Sequence, residues 1–77
     1  MSWQPNSVDL HLLQAAADTA ASATSAGEVA QQIVAVEHYA ALVKAEAVRE
    51  MRRRLYSWAD IANVLGITRQ GAQKRYG

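Results

Sequence analysis

Basic side chains are the most prominent chemical groups of this 77-residue chain, and they are confined to its second half. Residues 44–77 hold eight Lys and Arg against three carboxylates, whereas residues 1–43 hold four carboxylates and no Lys or Arg. Guanidinium and ammonium groups concentrated in this way attract polyanions, most often nucleic acid. The asymmetry therefore predicts a polyanion-binding C-terminal half attached to a segment with a different role.

Groups that could catalyse a reaction or hold a metal ion are not arranged for either task. Glu46 and Glu50 are spaced like helical neighbours, and we interpret them as partners of nearby arginines rather than as a catalytic carboxylate pair. His11 and His38 are far apart and the chain has no cysteine, so no metal site is indicated. No nucleophile motif or phosphate-binding loop is found. The sequence predicts a protein that is not an enzyme and needs no cofactor.

The most informative stretch is residues 57–76, which reads as two short helices joined by a tight turn. Ser57 followed three residues later by an acid matches a capping box and predicts a helix of about 58–65. Gly66 can adopt the left-handed backbone that ends such a helix, and Thr68 can cap the next one. The residues expected in the shared core and its turn are Ile61, Ala62, Leu65, Gly66, Ile67 and Ala72.

This stretch resembles the helix-turn-helix of bacterial and phage DNA-binding regulators, in particular short regulators of the actinobacterial type. The family's pattern asks for a small residue in the first helix, a glycine four residues later, a β-branched residue after it and a small or apolar residue inside the second helix. The matching residues are Ala62, Gly66, Ile67 and Ala72. The resemblance covers about residues 57–76. It departs from the family at the end, where Tyr76 must supply the packing that further helix usually provides.

The resemblance implies that the second helix of the motif enters the major groove of DNA with its N-terminal residues toward the bases. Arg suits guanine and Gln suits adenine, so the expected base contacts are Arg69, Gln70 and Gln73. The other polar and basic residues of the region are expected to contact phosphates and position the protein. They are Arg52, Arg53, Arg54, Ser57, Thr68, Lys74 and Arg75. For the arginine run, an ordinary solvated helix end is an equally good interpretation.

The motif must be carried by the preceding helices. The first is predicted at about 8–23 with Ser7 as its N-cap, and the second runs from Glu28 to about Leu55, after a Ser25–Glu28 capping box. An apolar stripe along the second helix steps by four and three residues, as expected for a helix-packing seam. Its members are Val29, Ile33, Val36, Ala40, Val43 and Ala47. Either the first helix alone covers this seam or a second copy does, and the shortness of the first helix favours a homodimer.

The predicted fold is all-α: an N-terminal helical hairpin with a long second helix (1–55), followed by a C-terminal helix-turn-helix (56–77). The predicted function is sequence-specific binding of double-stranded DNA by a dimeric, repressor-like regulator. One alternative is an accessory factor, such as an antitoxin or small terminase subunit, whose hairpin binds another protein. A purely structural protein is the third hypothesis. No apolar run reaches the length of a membrane span, so the expected location is the cytoplasm, with the nucleoid.

Overall fold

The computed structural model describes residues 3–77 and contains four helices and no strand in that range. The helices are α1 (Ser7–Ser22), α2 (Ala26–Arg53), α3 (Trp58–Leu65) and α4 (Arg69–Tyr76). The predicted all-α fold is therefore confirmed. None of the helices in this range is long and apolar enough to cross a membrane.

The start of α1 differs from the prediction. Its N-cap is Asn6, whose side-chain oxygen accepts hydrogen bonds from the amides of Val8 (2.9 Å) and Asp9 (3.3 Å). Ser7, which was predicted as the cap, is instead the first helical residue. Asn and Ser are comparably good caps, and here the Asn side chain satisfies two free amides at once. The helix ends at Ser22 because Ala23 has extended backbone.

The start of α2 forms only half of the predicted capping box. The Glu28 amide donates to Ser25 Oγ (3.2 Å), as expected. The Glu28 carboxylate, however, accepts from the amide of Thr24 (3.3 Å) rather than from that of Ser25. The helix begins at Ala26, directly after Ser25 and two residues before the predicted start.

The end of α2 also comes earlier than predicted, at Arg53 instead of Leu55. Leu55 has a left-handed backbone with φ of 66°. Its amide bonds to the carbonyl of Arg52, and the next amide, of Tyr56, bonds to the carbonyl of Met51, both at 3.0 Å. This pair of bonds is a Schellman motif, which closes a helix and usually has glycine at the left-handed position. A leucine there gave no signal of a helix end in the sequence.

The chain divides into two compact units, with the boundary between Lys44 and Ala45. In the first unit, which contains α1 and the beginning of α2, Ala16 is the one buried hydrophobic residue among the described residues 3–44. Thr19 and Ser22 of α1 and Glu28 and Gln32 of α2 line one small cavity of about 250 Å³ beside the turn that connects the two helices.

The predicted seam of α2 is only partly covered. Val29 and Ile33 are 39% and 40% exposed, whereas Val36, Ala40 and Val43 are half-buried. Ala47, the last seam residue, is also half-buried and belongs to the second unit. A two-helix unit with so little buried apolar surface has a weak core of its own.

The second unit packs the end of α2 against α3 and α4. Its core cluster consists of Val48, Ile61, Ala62 and Ala72, with Met51, Trp58, Leu65 and Tyr76 packed around it. The predicted domain boundary lay after residue 55, but this unit begins at Ala45 because Val48 and Met51 of α2 are part of its core.

Candidate nucleic-acid interface

The short α3 forms where the sequence places it. Ser57 Oγ accepts from the Asp60 amide (3.0 Å), and the Asp60 carboxylate accepts from the Ser57 amide (3.1 Å), which completes the capping box. At the other end Gly66 has φ of 69°, and the Ile67 amide reaches the Ala62 carbonyl at 3.1 Å. The predicted range 58–65 and the left-handed Gly66 are both confirmed.

The turn then leads directly into α4. Thr68 is its N-cap, and its hydroxyl accepts from the Gly71 amide at 3.0 Å. Gly71 lies close to this cap, because a Cβ at position 71 would be 3.0 Å from Thr68 Oγ1. A glycine therefore lets the capping hydroxyl approach the helix closely.

Small residues bring α3 and α4 together. Ala62 is 5% exposed, while Ala72 and Ile61 are fully buried. Larger side chains at the two alanine positions would separate the helices. The prediction that Ile67 belongs to the core was wrong. Ile67 is 37% exposed and lies outside the core cluster. Its backbone amide closes the turn, while its side chain stays at the surface. Leu65 packs against the cluster as expected.

The residues predicted to contact bases lie on the surface of α4. Arg69, Gln70 and Gln73 are exposed, as is Lys74. At 100° per residue, Gln70 and Lys74 point about 160° away from the buried Ala72 on either side of the helix. Within residues 3–77, none of these four side chains makes a hydrogen bond or ion pair. This face of α4 is therefore available to a ligand.

The hydroxyl groups predicted to contact phosphate are at the two helix starts. Ser57 and Thr68 are exposed, and each uses its oxygen as an acceptor for a helix amide. Their hydroxyl hydrogens remain able to donate, because a hydroxyl is both donor and acceptor. Each lies beside the positive end of a helix dipole, which favours an anion. Arg75 is exposed near the end of α4.

The arginine run at the end of α2 is engaged within the chain. Arg52 donates to the Tyr56 carbonyl at 2.8 Å, and its guanidinium lies 4.5 Å from the centre of the Trp58 ring. Trp58 itself packs against the core cluster, which contains Val48 of α2 as well as residues of α3 and α4. Arg52 therefore holds the joint between α2 and α3 rather than projecting freely.

Arg53 and Arg54 both pair with Glu50, at 2.9 Å and 3.0 Å. These are the helical ion pairs that the spacing predicts for Glu50; the pair of Glu46 with Arg49 that the spacing also predicts is not among the ion pairs of residues 3–77. The two arginines remain largely accessible, with side chains 71% and 53% exposed, so the pairs contribute little to stability and leave the cations free to meet a second anion.

Sequence reasoning assigned no binding role to Arg49, which shares an open groove with Arg75. The helical period could have placed Arg49 beside Arg52 and Arg53, but not next to α4. Among the described residues, no group of His, Asp and Glu could hold a metal ion. Comparison with protein-family models, with curated proteins and with solved structures found no match to this chain.

Proposed function

We propose that this chain is a sequence-specific double-stranded DNA-binding protein that acts as a homodimer at the nucleoid, as a repressor-like transcriptional regulator. One observation carries the proposal. The outer face of α4 presents Arg69, Gln70 and Gln73 without partners inside the described chain, while Ala72 on the inner face is fully buried. A rigidly packed helix with uncommitted side chains of these types is what direct readout requires.

The dimensions and charge of the second unit support this proposal. A helix of eight residues is about 12 Å long, comparable with the width of the major groove. Residues 45–77 hold seven basic side chains against three carboxylates. This excess attracts the phosphate backbone from a distance and makes affinity fall as salt rises.

Arg69 and the two glutamines are assigned to base edges because of their hydrogen-bonding geometry. A guanidinium can donate two bonds to guanine, and a carboxamide can pair with adenine. Ser57, Thr68, Lys74 and Arg75 are assigned to phosphates, together with the accessible sides of Arg53 and Arg54. Arg52 contributes by fixing the α2–α3 joint that presents the motif.

The dimer is assigned to the first unit. Ala16 is the one buried hydrophobic side chain in the part of that unit that the structure describes, and Val29 and Ile33 of the seam are about two-fifths exposed. Pairing the hairpins of two copies as a four-helix bundle would cover these side chains. A two-fold dimer would then present two motifs to a palindromic site.

The test is selection of bound sequences from a random duplex DNA pool, at low and moderate salt, with the particle mass measured in the same buffer. Enrichment of a two-fold symmetric sequence by a particle of dimer mass is the expected result. Binding that disappears with salt and enriches no sequence would contradict specific recognition and leave only attraction to phosphate.

The exposure of Val29 and Ile33 also favours a second candidate, in which the hairpin binds a different protein and α4 docks the complex on DNA. The mass measurement distinguishes the two. A monomer of 8.4 kDa with an uncovered seam would favour the accessory factor over the homodimer.

A further inference from the structure

An open groove of about 970 Å³ lies within the second unit, away from the outer face of α4. Four arginines line it: Arg49, Arg52, Arg53 and Arg75. Trp58 and Tyr76 form aromatic walls, and Ala45 and Val48 contribute apolar surface. The groove therefore combines concentrated positive charge with apolar contact area.

Two of its guanidinium groups, those of Arg49 and Arg75, have no partner inside the described chain. Arg52 is bound to the Tyr56 carbonyl and Arg53 to Glu50. Arg49 and Arg75 make no hydrogen bond or ion pair within residues 3–77. Both are exposed, so they can receive anionic groups without breaking an existing contact.

The groove and the proposed base-reading face lie on different sides of α4. At 100° per residue, Arg75 points about 140° away from Gln70 and about 160° away from Gln73. A ligand in the groove would therefore leave these two glutamines accessible. Base reading at the outer face therefore does not use the groove, although Arg53 and Arg75 of its lining are also proposed phosphate contacts.

The chemistry of the groove favours carboxylates on a peptide over phosphates. Phosphates are better placed at the starts of α3 and α4. Ala45 and the two aromatic rings present apolar surface that a phosphate chain does not cover, whereas apolar side chains of a peptide can pack there.

We infer that this groove is a docking site for a peptide segment of a partner protein that carries Asp or Glu beside large apolar side chains. The carboxylates pair with Arg49 and Arg75, whose forked donors suit bidentate binding. The apolar side chains pack between Trp58 and Tyr76. The site lies outside the proposed DNA-reading face, so its existence does not depend on that function.

The experiment is selection of phage-displayed random peptides on the immobilised full chain, followed by titration of an enriched peptide into the isotope-labelled protein. We expect enrichment of peptides that combine acidic and large apolar residues. The indole N–H signal of Trp58 should shift on titration. The corresponding signal of Trp3, which does not line the groove, should shift much less.

A matched pair of variants locates the binding site. Arg49→Gln removes one positive charge from the groove, and Lys44→Gln removes one from the same helix outside it. We expect Arg49→Gln to weaken peptide binding roughly tenfold or more and Lys44→Gln to change it little. Equal effects of the two variants would overturn the inference, because they would show general charge attraction.

Two further outcomes would also overturn it. One is the absence of enrichment, or enrichment without acidic residues. The other is a combination of two results: duplex DNA displaces the peptide, and Arg49→Gln lowers DNA affinity tenfold whereas Lys44→Gln does not. That combination would show that the groove binds the phosphate backbone of DNA. Selection of DNA sequences by the parent chain is scored separately, so failure of the peptide site and failure of DNA recognition remain distinguishable.

Discussion

The guanidinium of Arg52 lies 4.5 Å from the centre of the Trp58 ring, so the last turn of α2 contacts the first residue of α3 directly. The same guanidinium donates to the Tyr56 carbonyl in the connecting turn. One arginine thus links a helix end, the turn and the aromatic side chain that packs on the core. This link positions α3, and through the α3–α4 packing it also positions α4.

We therefore expect Arg52→Lys to destabilise the chain by about 1 kcal/mol, since lysine keeps the charge but loses the stacked, planar donor. Urea unfolding followed by circular dichroism measures the change. Arg53→Lys, on the neighbouring exposed side chain, is the control and should be nearly neutral. Equal midpoints for the parent and Arg52→Lys would show that the stacked contact adds no stability.

Leu55 is strained, and its replacement should stabilise the fold. It has φ of 66° and is 89% exposed, so it bears a conformational cost and contributes little packing. Leu55→Gly should raise the free energy of unfolding by about 1 kcal/mol, because glycine adopts this backbone without a steric penalty. Leu55→Ala, which removes the side chain but keeps the Cβ, should change little. If alanine stabilised as much as glycine, exposure of the leucine and not its backbone would be the cause.

Close packing of α3 on α4 predicts that Ala62 is intolerant of a larger residue. Ala62→Leu should cost about 1–3 kcal/mol, because the side chain is 5% exposed in the parent and has no room to grow. Ala59→Leu, on the exposed side of the same helix, is the matched control and should be tolerated. Thermal unfolding followed by circular dichroism compares the two. A similar melting temperature for both variants would mean that the core can expand at Ala62.

Residues 57–76 were predictable because each local signal there points to the same structure. The capping box at Ser57, the glycine at position 66 and the cap at Thr68 act within a few residues of one another, so no distant contact is needed to place the helix ends. The inward orientation of Ala62 and Ala72 follows from the helical period. The predicted burial of Ile67 was wrong because the helical period of α3 or α4 does not extend through the turn between them.

The end of α2 and the roles of its arginines were not predictable in the same way. A left-handed leucine has no sequence signature, so the sequence pattern predicts that the helix continues to residue 55. The helical spacing predicts that Arg53 and Arg54 pair with Glu50, but only the path of the turn decides that Arg52 meets Trp58. Arg49 was overlooked because its neighbours in the groove, Arg75 and Tyr76, come from a distant part of the chain.

The proposed dimer predicts different effects for two adjacent residues of α2. Ile33 lies on the seam and is 40% exposed, whereas Val34 is 66% exposed and points about 100° away. Ile33→Glu should bury a carboxylate in the interface and weaken association tenfold or more, roughly 1.4 kcal/mol at least. Val34→Glu should remain dimeric. Sedimentation velocity over a range of concentrations measures both, and a dimer that survives Ile33→Glu would place the interface elsewhere.

The assignment of base contacts on α4 predicts that two neighbouring substitutions affect DNA binding differently. Gln73→Ala should cost about 1–3 kcal/mol on the preferred sequence and relax selection at one or two base pairs, because the lost hydrogen bonds distinguish bases. Lys74→Ala should weaken binding to all sequences alike and reduce the slope of affinity against salt by about one, because it removes a phosphate contact. Both side chains are exposed, so neither change should alter the fold. Selection from random duplex DNA, repeated for each variant and for Arg69→Ala, compares the enriched sequences directly. If Arg69→Ala and Gln73→Ala selected the same sequence as the parent with the same affinity, α4 would not be the helix that reads the bases.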